Sequence, residues 1–478
     1  MRSLTGMTNA HTGNNSRRCT GTGNDTGWRA CDTSADCPTG QECTSGVSLE
    51  KDSYATGSML FLRSATGATP PSTYYMLNSD DGFGILIRNS CNITIKGLKF
   101  RTYARSAIGT GLSESSPGVP STCGGIILDD ITSYYHSHVA GGPDYALAFY
   151  RATSVTVQNS NLAYSASELI HTESPSQEFP GASLALTISN TWFHHAGDTS
   201  VLGELAPWNH CQDKGPETPG GIILGNNCSG CASASDYTGT NIYGNLFQDI
   251  KYFSRNGDAI KFENVMNADA GNRVKVHDNV FVRIDQAPFA FDLVAGNSSN
   301  IDIYNNIVYA SRVNPDPCFT PRRGSAFTFS QSFINLANVR IYNNTVYQPG
   351  NGECLVVETP FAGLTGVLFR NNICYQNAEV TPIAWRPASI DASNLFENNL
   401  FYTINNIADF GSAPSITHYP TCLSFDTTVN AANSKCQNPG FYSTSDFLFY
   451  PTGGDFTNTS QFLSNSMFGG PAIDMGTS

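Results

Sequence analysis

Charge is scarce in this chain. Only 14% of its 478 residues are charged, and 26 Lys and Arg face 39 Asp and Glu, for a formal net charge of −13. A shortage of positive charge excludes duplex nucleic acid as a partner, since such binding displaces phosphate counterions with Lys and Arg. Intrinsic disorder is excluded by an aromatic content of 11%, because disordered chains are charge-rich and aromatic-poor. Coiled coils draw on Ala, Glu, Lys and Leu, whereas Asn, Gly, Thr and Ser dominate here. No run of 18 apolar residues occurs, so no membrane-spanning helix is expected. The opening MRSLTGMTNAHTGNN has no apolar core of a signal peptide; the leader of a secreted protein is expected upstream of it. HExxH, GxSxG and phosphate-loop motifs are absent. The metalloprotease, serine-hydrolase and nucleotide readings thereby lose their main warrant.

Cysteine, by contrast, is plentiful. Fourteen Cys point to an oxidising compartment and a secreted, extracellular protein. Residues 1–53 form a Cys-rich segment carrying Cys19, Cys31, Cys37 and Cys43, too short for a core and in need of staples. Bridges are expected there, involving Cys31, Cys37 and Cys43, and between Cys422 and Cys436 in a capping segment over 420–478. Four Cys permit three pairings, which remain open. Cys228-x-x-Cys231, with Cys211 and His210 nearby, reads as disulfide chemistry, because a structural zinc site usually shows two such pairs.

Internal repetition is the strongest signal. Two apolar residues spaced by two, a polar pair often containing Asn, and a further apolar pair recur throughout. Examples are ITIKGLKF from Ile93, VTVQNSNL from Val155, VKVHDNVF from Val274, IDIYNNIV from Ile301, VRIYNNTV from Val339 and VLFRNNIC from Val367. Late copies lie about 27 residues apart. The interval from Leu186 to Asn241 is about twice that and implies a turn hidden in an insertion. Each unit reads as two short strands meeting at a corner, with alternate residues inward. Asn or Gly stands at the corner because both tolerate left-handed backbone. Asn305, Asn343, Asn371, Asn398 and Gly244 occupy equivalent places, and the four Asn amides are expected to stack into a ladder. Such units bury their apolar faces only by stacking. Val276, Ile303, Ile341 and Phe369 are expected in one inward column.

These rungs, Ile301–Val308 and Val339–Val346 above all, resemble the right-handed parallel β-helix of the pectate-lyase-like superfamily. The resemblance covers roughly residues 58–410, and GGPAIDMGTS (Gly469–Ser478) resembles the ending of bacterial β-helix repeat proteins. It implies an all-β solenoid over 54–419 of ten to twelve rungs with long loop insertions and a C-terminal cap. The superfamily holds polysaccharide lyases, glycoside hydrolases and non-catalytic surface proteins, so function must come from a site. A monomer acting on a polysaccharide is the expectation. The long insertions, Glu173–Ala182 and Leu205–Thr240 among them, suggest a walled cleft.

Stacking the first strand of each rung brings candidate groups together. Aligning SELIHTE, GDAIKFE, PFAFDLV and AFTFSQS places Ile170, Ile260, Phe291 and Phe329 inward. His171, Lys261, Asp292 and Ser330 then face outward at one level, with Glu173 and Glu263 two residues on. Two mechanisms suit such a groove. In a lyase, Lys261 takes the C5 proton of a uronate, as a Lys or Arg base does in this superfamily, with Glu173, Glu263 and Asp292 available to Ca²⁺. In a hydrolase, two carboxylates among Glu173, Glu263, Asp258 and Asp292 act as acid and base. Arg322, Arg323 and Tyr150 are expected substrate contacts. The lyase leads, with the hydrolase and a non-catalytic, adhesive β-helix as alternatives. Neither the paired-Asp and GHG signature of polygalacturonases nor the RxPxxR run of the main pectate lyases is present. The His136/His138 and His194/His195 pairs stand outside this constellation.

Overall fold

The computed structural model describes backbone strands at 17–21, 41–45, 51–56 and 59–64 and the strands and most turns between 83 and 437. Segments 88–90, 102–105, 111–123, 135–144, 174–181, 198–219, 226–234, 252–256, 292–296, 310–323, 331–334, 359–363 and several shorter ones fall outside the described residues. Two antiparallel hairpins come first: Arg17–Gly21 with Gln41–Ser45, placing Cys19 opposite Cys43, and Lys51–Thr56 with Met59–Ser64. Cys31 and Cys37 lie outside the described residues.

From Phe83–Leu86 onward the chain winds through three sheets of 12, 14 and 11 strands. One turn runs from a first-sheet strand such as Glu168–Glu173 to Ala185–Ser189 in the second sheet and Trp192–His194 in the third. Neighbouring turns pair in parallel, for example Val155 with Leu186 and Ile303 with Ile341. The molecule is a right-handed parallel β-helix, as the repeats imply. No helix of the described residues is long and apolar enough to cross a membrane.

Alternation fills the interior. Val276, Ile303, Ile341 and Phe369 form an unbroken inward column, each fully buried. Stacked rings line the other two walls. Phe193, Phe247 and Phe281 stand 4.6 and 4.8 Å apart, and Phe262, Phe291 and Phe329 stand 4.7 and 4.5 Å apart. The spacing matches that of neighbouring strands, and each ring withdrawn from water contributes about 1.5–3 kcal/mol.

The corner between the second and third sheets departs from expectation in one respect. Gly244, Asn305, Asn343, Asn371 and Asn398 do adopt positive φ, as do Gly97, Asp130, Asp278 and Asn433 at the same place in other turns. The amide ladder, however, is built by the next residue. Asn245 Nδ2 donates to Asn279 Oδ1 at 2.9 Å, Asn279 to Asn306, Asn306 to Asn344 and Asn344 to Asn372 at 3.0 Å, and Asn372 to Asn399 at 3.2 Å. Among the described residues no hydrogen bond joins the amides of Asn305, Asn343, Asn371 and Asn398. The left-handed residue turns the backbone and points its side chain outward. Its successor points into the corner, where unpaired polar groups must be satisfied.

Two register expectations are also corrected. Thr187 pairs directly with Asn241, so no turn is hidden between Leu186 and Asn241; the extra length is insertion on either side of one first-sheet strand, Gly220–Gly225. In the first sheet Ile260 pairs with Phe289, not Phe291, which pairs with Phe262. A slip of two keeps every side chain on its face, so alternation does not detect it.

At the C-terminal end Thr417–Tyr419 closes the first sheet antiparallel to Ala408–Phe410. The helix Cys422–Thr428 follows, and Ala431–Ala432 and Lys435–Cys436 extend the other sheets in parallel. The expected Cys422–Cys436 disulfide is formed. Cys354–Cys374, which sequence reasoning did not single out, is a second, and among the described residues no cysteine is free.

Candidate functional site

Three neighbouring first-sheet strands carry the densest set of ionisable side chains singled out by the sequence. Glu168–Glu173 pairs with Gly220–Gly225, which pairs with Asp258–Glu263. The outer strands read ELIHTE and DAIKFE, an acid, a base three residues on and a Glu two further. The strand between reads GGIILG. Register sets Glu168, Gly220 and Asp258 in one column, and His171, Ile223 and Lys261 in another. Gly225 pairs with Glu263, and it follows Leu224, the partner of Thr172, so it stands between Glu173 and Glu263. Ile170, Ile222, Ile260 and Phe262 of the same strands belong to the core, which directs His171, Glu173, Lys261 and Glu263 to the outer face.

Both glycines permit a close approach of the neighbouring strand. Gly225 has φ +113°, and a Cβ there would lie 1.4 Å from the Glu263 carbonyl oxygen. At Gly220 a Cβ would meet the Asp258 carbonyl at 3.3 Å and Glu168 Cγ at 3.6 Å. The glycine strand is buried along its whole length and lies between two carboxylate-bearing strands.

His171 sits in an aromatic clasp. Its ring is parallel to that of Tyr145 at 4.0 Å, and Tyr150 lies 5.7 Å away. Nε2 stands 3.4 Å from Glu173 Oε1, and Nδ1 is buried with no hydrogen-bond partner among the described residues. Burial pulls the imidazole pKa down, but the Glu173 hydrogen bond and the negative charges of Glu168, Glu173 and Glu263 outweigh it, and the net shift is upward. Burial, followed by the charge of Glu168, holds the Tyr145 phenol well above its ordinary range. Ser167 Oγ donates to Glu168 Oε2 at 2.7 Å.

Of the residues singled out by sequence, His171, Glu173, Lys261, Glu263 and Tyr150 converge here; Tyr150 pairs with Glu173 across the strands. The environment of Lys261 differs from expectation. It is 5% exposed rather than open to the groove, and its Nζ lies 2.5 Å from Glu263 Oε1. The neighbour of Lys261 on the next strand is Ala290, not Asp292. Asp292, Arg322 and Arg323 lie outside the described residues. So do His136, His138, His210, Cys211, Cys228 and Cys231. Among the described residues no group of three His, Cys, Asp or Glu converges as metal ligands. Sequence reasoning missed Glu168, Tyr145 and the two glycines. The shared acid-x-x-base-x-Glu spacing was the available signal.

The second histidine pair forms a separate cluster on the third sheet. His194 Nε2 lies 2.8 Å from Asn161 Oδ1, and Nδ1 lies 2.8 Å from His195 Nδ1. Burial, and secondarily the charge of His195, drive the His194 pKa down to about 3. With His194 neutral, Nε2–H donates to Asn161 and Nδ1 accepts from His195. Arg283 clamps Asp249 at 2.7 and 2.6 Å, and His195 Nε2 stands 3.9 Å from the same carboxylate.

The fold and this outer-face cluster define a parallel β-helix protein with a largely buried acidic, histidine- and lysine-bearing cluster on one sheet. No family model matches the chain, and no curated protein matches it. Among solved structures, the crystal structure of PfbA, a surface adhesin of Streptococcus pneumoniae, is similar at 12% identity over 71% of this chain and 84% of that chain, with a TM-score of 0.34.

Proposed function

We propose that the protein is an extracellular glycoside hydrolase that holds a glycan across the outer face of the first sheet. The observation that carries this is the column Glu173, Gly225, Glu263, two carboxylates two strands apart with no side chain between them. Two steps of ~4.8 Å put their Cα atoms ~9–10 Å apart, at the upper end of the ~6.5–9.5 Å carboxyl separation that leaves room for water in an inverting mechanism. Glu263, ion-paired with Lys261, is the base that takes a proton from water as its oxygen attacks the anomeric carbon. The proton shared by His171 and Glu173 passes to the leaving glycosidic oxygen. The disulfides support an oxidising, extracellular setting.

The lyase mechanism favoured by sequence is the weaker reading, because an ammonium ion-paired to a carboxylate is a poor proton acceptor. A non-catalytic role is supported by the low exposure of Lys261 and Glu263, which limits their access to a substrate. Incubation with a polysaccharide panel separates the three. Hydrolysis releases new reducing ends without ultraviolet absorbance from unsaturated sugars, and Glu173→Gln or Glu263→Gln lowers turnover at least ~100-fold. Unsaturated products would establish elimination instead, and binding without products would establish an adhesive or scaffolding role.

A further inference from the structure

The second sheet differs from its neighbours in what its outer face shows to solvent. Outward side chains of the first sheet such as Ile223, Lys261 and Ala290 are buried, as are Val280, Ile307 and Ile373 on the third. On the second sheet two outward columns cross the turns. One reads Asn241, Lys275, Asp302, Arg340 and the other Tyr243, His277, Tyr304, Tyr342. Lys275 and Arg340 are exposed, and the four rings are partly exposed. The rings form a ladder, with centroids 5.4, 4.6 and 4.9 Å apart and planes within 9° of parallel. Stacking hides their electron-rich faces against one another and leaves the edges, which carry partial positive charge, and the phenol hydroxyls to meet a ligand. Burial, followed by the charge of Asp302, pushes the Tyr342 phenol up to about 12, so it remains a hydrogen-bond donor.

The charged column supplies a second, independent observation. Each of the other described cations on this face has a carboxylate: Lys96 pairs with Asp129 at 2.6 Å, Arg273 with Asp302 at 2.7 Å, and Arg370 with Glu397. Lys275 and Arg340 have no carboxylate within ion-pair distance among the described residues, although acids outnumber bases in the chain by 39 to 26. Asp302 stands between them, buried and neutralised by Arg273. Asp278, at the edge of the ladder, is engaged by His277 Nδ1 at 2.6 Å. Over three successive turns the column therefore reads cation, neutral pair, cation, beside a row of ring edges.

We propose that this face binds a polysaccharide in which uronic acids alternate with neutral sugars, laid along the helix axis across the strands Val274–His277, Asn297–Tyr304 and Asn335–Tyr342. Pyranose units repeat along a chain at close to the ~4.8 Å spacing of neighbouring strands. Carboxylates two sugars apart then meet Lys275 and Arg340, two strands apart, and the planar fork of Arg340 suits a carboxylate. The neutral sugar between them lies over the Arg273–Asp302 pair, and the Tyr304 and Tyr342 hydroxyls donate to oxygens of the chain. An acid on every sugar would set one opposite Asp302 with no free cation to receive it. The net charge of −13 opposes a polyanion at long range, but salt at about 0.15 M screens that field beyond ~8 Å and leaves the contact pairs in place. This binding is independent of any chemistry on the first sheet.

Calorimetry with the whole protein tests it. Hexamers of alternating glucuronate and N-acetylglucosamine, of galacturonate, and of N-acetylglucosamine are titrated separately. The alternating hexamer should bind at least ~5-fold tighter than the galacturonate, with no measurable binding of the neutral one. Raising salt from about 50 to about 300 mM should weaken it several-fold. Lys275→Ala with Arg340→Ala should weaken it at least ~5-fold, while Lys275→Arg retains it and hydrolysis assayed in parallel is unchanged. Both side chains are exposed, so the double variant should keep the wild-type Tm; if it does not, Lys275→Gln alone should still weaken binding at least ~2-fold. Wild-type affinity in the folded double variant would put the glycan elsewhere and overturn the site. Galacturonate binding as tightly as the alternating hexamer overturns the alternation, and equal binding of the neutral hexamer overturns the role of charge. Failure of all three to bind overturns the proposal outright, whatever the first sheet is found to hydrolyse.

Discussion

Adjacent asparagines in one corner do different physical work. Asn305 supplies a left-handed turn with φ +54°, a conformation that costs other L-residues about 1–2 kcal/mol. Asn306 Oδ1 accepts from the backbone and side-chain nitrogens of Asn279, and its Nδ2 donates to Asn344, Val276 and Tyr304. Asn306→Ala is therefore expected to cost about 3–5 kcal/mol, since several buried groups lose partners at ~1–3 kcal/mol each. Asn305→Ala should cost ~1–2 kcal/mol, and Asn305→Gly close to nothing. Denaturant unfolding of the three variants measures the difference, and equal losses would place the ladder on the wrong residue. His194 carries a second residue-scale expectation. Its unfolded imidazole takes a proton near pH 6.5, while the folded one resists until about 3. Between those values the unfolded state binds more protons, so stability falls as pH falls, by up to ~1.4 kcal/mol per unit. His194→Gln should flatten the decline in Tm from pH 6.5 to 4. His171 has the opposite sign: its raised folded pKa stabilises fully below the unfolded value, and that contribution fades as pH rises through the folded one.

At the scale of a single strand, Gly220–Gly225 depends on its glycines to pack closely against Asp258–Glu263. Its interior residues Ile222 and Leu224 are core, and its ends are bare. Gly225→Ala would drive a Cβ into the Glu263 carbonyl at 1.4 Å and adds a side chain to backbone at φ +113°. It is expected to destabilise by well over ~3 kcal/mol, since backbone rather than a flexible side chain must yield. Gly220→Ala meets its neighbours at 3.3 Å and should cost under ~1.5 kcal/mol. Thermal unfolding of the pair reads the contrast. Comparable Tm values would show that the strand has a different register.

The whole molecule is a one-dimensional stack, so no single turn holds the fold and the ends must be protected. The antiparallel strand Thr417–Tyr419 and the helix Cys422–Thr428 close one end. Disulfides act at two depths. Cys354 and Cys374 are fully buried in the core, tying the residue just before the first-sheet strand Leu355–Val357 to the third-sheet strand Ile373–Gln376, whereas Cys436 is exposed in the cap. Mild reductant followed by alkylation and mass spectrometry is expected to label Cys422 and Cys436 first. Cys354 and Cys374 should become accessible only on unfolding. Removing the inner bridge by Cys354→Ala with Cys374→Ala should cost ~2–4 kcal/mol; simultaneous labelling of both pairs in native protein would contradict the burial described.

Periodicity along the chain determined the solenoid, its inward column Val276, Ile303, Ile341 and Phe369, and its left-handed corners, because each depends on residues close in sequence. It also singled out His171, Glu173, Lys261, Glu263 and Tyr150, whose spacing within strands is local. Pairing between turns was decided by tertiary structure alone. A shift of two residues leaves alternation unchanged, so Ile260 beside Phe289 and Lys261 beside Ala290 were invisible to it. So was the place of GGIILG between two acidic strands, since insertions of unequal length separate the three in sequence. The exchange of ladder duty from Asn305 to Asn306 has the same origin: both residues suit a corner, and only the packed interior distinguishes the side chain that turns inward from the one that turns away.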